Sequence, residues 1–361
     1  MTTRVVRKNM TEIYQRLANH LDHLPAGFPA TETGVELRIL KRLFTPEEAA
    51  LAIQLTMLPE SSAQIAARLG EDPDALAKRL EQMAQKGLLF RSSKKETDYY
   101  MAAQFVIGIW EYHLNDLDEG LIKDVNEYLP YLMQKTWLKQ KTKQLRVIPV
   151  SKEISAEMAV TSYEAAEEII RRQSKIVVSP CICRREHEMT GNGCGKLSEA
   201  CLSFGGAAYF YERNRLGRAI SRTEALDLLK KGPKDGLVLQ PSNSQHPINI
   251  CMCCGCCCQI LKNIRSLDNP AAAVHANYSA RINAQECTAC ESCADICPMA
   301  AIQVDETAVV DPERCIGCGL CAAECPTGAA ALYKKRPEEQ YVPPRNTVET
   351  YINMARERGL I

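Results

Sequence analysis

Along the first hundred residues, apolar positions recur with a helical period, and capping residues cut the pattern into short pieces. Residues 10–20 read as a helix and residues 25–33, with Gly27 and Pro29, as a connecting loop. Thr45-Pro46-Glu47-Glu48 sets out a capping residue, a proline at the first helical position and acids in the first turn, so a helix is expected from there to about Met57. Ser61 or Ser62 opens a second helix over 63–69, closed by Gly70. Asp72 or Asp74 opens a third, to about Gln85, with Ala75, Leu76, Leu80 and Met83 on one face and Gly87 at its end. Residues 88–91, a polar tip at 92–97 and residues 99–101 read as a hairpin. From 103 to 138 the period is helical again. Phe105, Ile109, Trp110 and His113, then Leu121, Val125, Leu129 and Leu132, predict one or two amphipathic helices whose apolar face packs or dimerises. The basic stretch 139–146 reads as a linker.

The pattern then repeats a unit. A helix from Tyr163 to Arg172 and a strand at 175–178 lead into Cys181 and Cys183; a helix from Thr223 to Lys231, a strand at 236–239 and residues 248–250 lead into Cys251. Both halves read helix, strand, cysteine loop. That order predicts an α/β module with its cysteines gathered at strand ends, along one sheet edge. The tail at 336–344 is charged and proline-rich, and a last helix from about Thr347 sets Val348, Tyr351, Ile352 and Ala355 on one face for docking.

Composition narrows the class. With 46% hydrophobic and 24% charged residues the 361-residue chain is an ordinary globular protein, expected to hold two or three domains. Net charge is zero, so bulk electrostatics favour neither nucleic acid nor a membrane surface. No apolar run approaches the roughly 18 residues of a membrane-spanning helix. The opening residues lack the apolar core of a signal peptide. The expected compartment is a reducing cytoplasm.

The eighteen cysteines, none before Cys181, carry the chemistry. Eight fall into two copies of one spacing: Cys287-x2-Cys290-x2-Cys293-x3-Cys297-Pro298 and Cys315-x2-Cys318-x2-Cys321-x3-Cys325-Pro326. Two-residue steps let three thiolates wrap one cubane, whose fourth ligand must come from elsewhere. Zinc knuckles use paired C-x2-C steps instead, and disulfide scaffolds belong to short secreted chains. The doubled run, with Ala300-Ala301-Ile302 after the first copy and Ala329-Ala330-Ala331 after the second, resembles the bacterial two-cluster ferredoxins over residues 278–333. That resemblance implies two [4Fe–4S] clusters, each taking the fourth cysteine of the other run. Cys287, Cys290, Cys293 and Cys325 would hold one; Cys315, Cys318, Cys321 and Cys297 the other. Ala289 stands where this family often has glycine, and its match in the second run is Gly317. Oxygen-labile clusters further suggest a low-oxygen or anaerobic setting.

The other ten cysteines are candidate ligands of one or two additional iron–sulfur clusters or a zinc ion: Cys181, Cys183, Cys194, Cys201, Cys251, Cys253, Cys254, Cys256, Cys257 and Cys258. Cys181, Cys183, Cys194 and Cys201 alone supply four thiols. The remaining six cannot all ligate one ion; in an extended segment Cys251 and Cys253 share a side while Cys254 faces away. Thiol redox chemistry is the alternative there. Arg184, Arg185, His187, Tyr209, Tyr211, Arg218 and His246 are candidate pocket residues. No phosphate-binding loop, dinucleotide fingerprint or hydrolase triad is present.

The order helix, short helix, turn, helix, hairpin at 41–102, with Ser-x-x-Gln-Ile-Ala-x-x-Leu-Gly in its middle, resembles a winged helix-turn-helix. On DNA such a domain would set Lys78, Arg79 and Lys86, with Arg91, Lys94 and Lys95 of the wing, against phosphates through residues 60–95. Neutral charge and a short wing favour protein docking. The expected chain is multi-domain α+β: an N-terminal helical segment 1–40, a winged-helix-like domain 41–102, a helical connector 103–150, a cysteine-rich α/β module 151–275, a dicluster domain 276–335 and a tail with a docking helix 336–361. As a whole it resembles multi-domain ferredoxin-like proteins of anaerobes. The expected role is electron transfer from a redox protein partner through the two clusters to the cysteine-rich site, as part of an oxidoreductase. A redox-responsive regulator and a metal or sulfur assembly factor are the rivals. A homo-oligomer through the connector is a further expectation.

Overall fold

The computed structural model describes residues 2–150 and 161–361, with side chains from residue 12 onward. Residues 151–160, the expected start of the middle module, lie outside this range. The chain forms two compact units: Met1–Thr142, Tyr209–Gly217 and Tyr351–Ile361 make one; Lys143–Ala208 and Arg218–Thr350 make the other.

In the first unit the expected caps form. Thr45 begins the helix Pro46–Ala52 with a reciprocal box to Glu48, and Ser61 begins Ser62–Leu69 with a box to Gln64, which Gly70 closes at φ 70°. Asp72 accepts from the Ala75 amide and begins Pro73–Gln85, which buries Leu76, Leu80 and Met83. The first of these helices stops at Ala52, short of the expected Met57. Strands β1 (Glu60–Ser61), β2 (Phe90–Lys94) and β3 (Thr97–Met101) form an antiparallel sheet in the order β1-β3-β2.

Beyond it the helical expectation fails in part. Residues Phe105–Ile109 keep helical apolar spacing, yet Val106 is extended (φ −97°, ψ 138°) and Ile107 is left-handed (φ 54°). Glu119–Leu132 is a true helix, and Leu121, Ile122, Val125, Tyr128, Leu129 and Leu132 are buried. Among the described residues no large hydrophobic side chain between 103 and 150 is exposed. The apolar face on which a homo-oligomer was expected is therefore covered within its own chain.

The second unit is built on a five-stranded sheet of β4 (Ile176–Pro180), β5 (Glu199–Phe204), β6 (Arg218–Ala219), β7 (Val238–Pro241) and β8 (Asn249–Cys253), ordered β6-β4-β5-β8-β7. Every neighbouring pair is antiparallel. This corrects the α/β expectation: helix-then-strand order is shared by both classes, and here β4 pairs with β5 and β7 with β8 antiparallel, while β6 and β7 take the two opposite edges. The helices Ala166–Arg171 and Arg222–Lys234 bury Ile169, Ile170, Leu228 and Leu229 in one core with Ile176, Val178, Leu202, Phe204, Ile250 and Met252. The stretch expected as a linker is also corrected in part. Lys143 and Arg146 are buried; Arg146 donates to the Ser244 carbonyl, and Leu145 and Ile148 bridge to Ser242 and Leu239.

The same unit holds the C-terminal cysteine runs. Strand β9 (Tyr278–Ile282) pairs with β12 (Ala330–Lys334), and β10 (Ile302–Val304) pairs with β11 (Ala308–Val310). Buried Glu164 joins this part to the helix-covered sheet, accepting from Asn277 Nδ2 at 2.7 Å and lying 3.5 Å from Lys334 Nζ. In the last helix, Thr347–Glu357, the buried residues are Thr350, Met354 and Ala355, while Val348, expected on the docking face, is 66% exposed. No helix among the described residues is long and apolar enough to cross a membrane.

Candidate metal centre

The two C-terminal runs fold alike. Ala289 and Gly317, Glu291 and Gly319, and Ala300 and Gly328 are each 28 residues apart, and all six have left-handed φ, between 50° and 80°. The second run meets this demand with glycine; the first uses side-chain-bearing residues at some strain. Each run turns into a short helix, Ser292–Asp295 or Leu320–Glu324, that carries its third cysteine.

The thiols gather across the repeat. Cys293 has Cys325, Cys287 and Cys290 as thiol neighbours. Cys318 and Cys321 both have Cys315 and Cys297. Backbone amides point at sulfur: Ala280 N–H to Cys315, Ala301 to Cys297, Ala308 to Cys287 and Ala330 to Cys325, at 3.3–3.4 Å. Cys297, Cys315, Cys318 and Cys321 line a pocket of about 350 Å³, counted out to its mouth. Burial pushes the Cys318 thiol well up and the Cys321 thiol to about 12. Four converging thiols, of which Cys297, Cys318 and Cys321 are pushed up by burial, with amide donors aimed at sulfur, are the donor set of a group that supplies positive charge, as iron in a cluster does.

The other ten cysteines divide by the alternation of the strands. Ala200, Leu202 and Phe204 of β5 and Ile250 and Met252 of β8 belong to the core, so Cys201, Cys251 and Cys253 lie on the other face, with Cys201 opposite Cys251 in register. There they join a line of neighbouring thiols: Cys201 beside Cys251, Cys251 beside Cys253, Cys253 beside Cys258, Cys258 beside Cys183, and Cys183 beside Cys181. The neighbouring Cys183 thiol lowers Cys181 to about 7, and the Cys183 and Cys253 thiols lower Cys258 well below the ordinary thiol range. Cys183 is not on a loop, as expected, but in the helix Ile182–Met189, which Cys181 precedes.

Cys254 faces the core, as the alternation predicts, together with Cys257. Cys194 joins them and Cys256; the four Sγ atoms all lie within 4.8 Å of one another. The expected grouping of Cys194 with Cys181, Cys183 and Cys201 is thus not the one the fold makes. Arg184 stands between the two sets. The residue is 6% exposed; its guanidinium donates twice to the Met252 carbonyl at 3.2 Å and lies 3.7 Å from Cys254 Sγ. Fully buried Glu186 accepts from Gln259 in the same layer. Sequence alone did not single out Glu186, and nothing in its spacing marks it.

Four of the remaining pocket candidates have separate settings. His187 Nδ1 donates to the Cys183 carbonyl at 2.8 Å, on the helix of the thiol site. Arg218 is spent on Glu199 and Glu224, both at 2.7 Å, on the surface. Tyr209 and Tyr211 belong to the first unit.

One contact links the two cysteine regions. A Cβ placed on Gly255, between Cys254 and Cys256, would stand 2.8 Å from the Pro298 carbonyl oxygen and 3.0 Å from Pro298 Cα. Pro298 directly follows Cys297, so the backbone of the middle cysteine turn lies against that of the C-terminal run.

Residues 286–329 match the family model of the 4Fe-4S dicluster domain. No curated protein and no solved structure matches the chain. The C-terminal part of this chain is therefore a ferredoxin-like 4Fe-4S dicluster domain, and it stands beside a further cysteine-rich site.

Proposed function

We propose that this chain is an iron–sulfur electron-transfer protein of a redox enzyme, in which single electrons from a protein partner pass through two [4Fe–4S] clusters to the cysteine-rich site. A [4Fe–4S] cluster takes up and releases one electron at a time. Cys287, Cys290, Cys293 and Cys325 would hold one, and Cys297, Cys315, Cys318 and Cys321 the other. The crossed neighbourhoods of the thiols support that assignment. The amides of Ala280, Ala301, Ala308 and Ala330 favour the more negative, reduced state and so raise its potential.

The observation that carries the reading is the approach of Gly255 to Pro298. It sets the middle thiols one backbone layer from Cys297, where a relay would hand over its electron. So many ligating thiols support the reading of a reducing cytoplasm in a low-oxygen cell.

Residues 41–102 we read as a winged helix used for docking to that partner. The element order and the β1-β3-β2 sheet support the fold. Its cations support docking over DNA binding, because several are already paired. Arg79 meets Glu71 at 2.6 Å, Lys86 meets Glu48 at 2.5 Å, and buried Arg91 meets Glu81 at 2.7 Å.

The test is an anaerobic reductive titration of the full chain and of a Cys181→Ser, Cys183→Ser double variant, followed by paramagnetic resonance. The variant should keep the two-cluster signal and take up fewer electrons. Equal electron uptake and unchanged rates with a redox partner would make the middle site structural only.

A further inference from the structure

The ten middle cysteines form two sets, and the smaller one has the dimensions of a single ion. Sγ atoms of Cys194, Cys254, Cys256 and Cys257 are mutually within 4.8 Å, and those of Cys256 and Cys257 are 3.8 Å apart. Four thiolates bound to one tetrahedral ion at ~2.3 Å form a tetrahedron with edges of ~3.8 Å. Around a cubane each thiolate binds a different iron. Its distance from the centre is the bond plus the half-diagonal of the cube, which widens the edge to roughly 7 Å for metal–sulfur bonds of ~2.3 Å. The observed spacing fits the first case better than the second.

We propose that Cys194, Cys254, Cys256 and Cys257 hold one tetrahedral metal ion, zinc or iron, separate from the clusters of the dicluster domain. Cys254 and Cys257 are buried at 0% and 1% exposure, Cys194 is half-buried and Cys256 is exposed. The site is thus closed on the protein side and loaded from solvent at Cys256. Cys194 arrives from sixty residues away in sequence, on a loop in which Gly191 and Gly195 take left-handed φ of 76° and 67°. The Lys196 amide donates to its sulfur. A dication on four thiolates leaves net negative charge, which the Arg184 guanidinium, 3.7 Å from Cys254 Sγ, offsets. All four positions are filled by protein, as in a structural or one-electron S4 site, so no substrate position remains. The ion would pin the Cys194 loop to the turn that abuts Pro298. The six other thiols would remain as a separate centre on the opposite sheet face.

The experiment uses the full chain purified anaerobically, with Cys194→Ser and Cys256→Ser variants, metal and sulfide quantification, and X-ray absorption at the zinc and iron edges. Each variant should lose about one metal ion per chain while sulfide stays constant. Wild-type protein should show either a zinc shell of four sulfurs at ~2.3 Å without a metal neighbour or the high-spin ferric resonance of an isolated iron. The first outcome assigns zinc, the second iron. Loss of about four irons with their sulfide would overturn the proposal in favour of a cubane, and unchanged metal content in both variants would show that these thiols bind nothing. Where a variant does not fold, the wild-type spectra decide: absence of both signatures rejects the site. The reduced two-cluster resonance, read on the same samples, reports separately on the electron-transfer reading.

Discussion

Replacing Gly317 by alanine tests how the second thiolate loop is built. The residue has φ 66°, where any side chain costs ~1–2 kcal/mol. Its new Cβ would lie 2.0 Å from the Tyr278 carbonyl oxygen and 2.7 Å from the carbonyl carbon. Both are backbone atoms of β9, held by the pairing of Tyr278 with Lys334, so no rotamer change relieves the contact. Forcing the strand away adds overpacking strain of ~1–3 kcal/mol, for about 2–5 kcal/mol in all. The shift would also pull the Ala280 amide from Cys315 Sγ, now 3.4 Å away. The repeat supplies its own control. Ala289, the equivalent of Gly317, already carries a Cβ at φ 50°. Ala289→Gly relieves the left-handed penalty and gives back ~0.4–1 kcal/mol through the unfolded chain, so stability should rise by ~0–1.6 kcal/mol. The assay is anaerobic denaturant unfolding followed by visible cluster absorbance, with iron counted before and after. Gly317→Ala should lose iron and midpoint while Ala289→Gly keeps both. A Gly317→Ala protein with wild-type iron content and midpoint would refute the reasoning.

Further outcomes follow from other contacts. Gly255→Ala should leave the iron content of the dicluster domain intact yet slow electron passage to the middle site, because its Cβ meets the Pro298 backbone at 2.8 Å; unchanged stopped-flow reduction kinetics would remove that route. Arg91→Met leaves Glu81 and Asn214 without their buried partner, though Arg213 still reaches Glu81 at 3.1 Å. It should cost ~2–3 kcal/mol in denaturant unfolding, below the usual penalty for breaking a fully buried pair. His113 donates from Nδ1 to the Ile109 carbonyl, and burial lowers its pKa below 6.5. The folded state therefore binds fewer protons than the unfolded chain, so this stability is complete above about pH 6.5 and falls as pH drops toward the depressed folded value. His113→Gln should flatten that dependence between pH 7.5 and 5.5; an equally steep variant would contradict it.

The parts legible in the sequence were those fixed by short-range chemistry. Thr45, Ser61 and Asp72 cap helices because a side-chain oxygen needs only a neighbouring amide. The doubled cysteine spacing showed its loops for the same reason, and strict alternation separated Cys254 from Cys251 and Cys253. What was hidden depends on partners far along the chain. Nothing local says that Cys194 joins Cys254, Cys256 and Cys257 rather than Cys181 and Cys201, because the sheet that sorts them is closed by β5 and β8. Helix-then-strand order did not distinguish parallel from antiparallel neighbours. Phe105 and Ile109 keep helical spacing and are buried without forming a regular helix, since burial constrains which side chains face inward and leaves the backbone path free.

Paramagnetic resonance of the anaerobically purified, dithionite-reduced full chain tests the central claim most directly. The account predicts the signals of two reduced [4Fe–4S] clusters in one protein, with Cys290→Ser and Cys318→Ser each perturbing a different one. A single cluster signal, or none, in protein that retains its fold would contradict it.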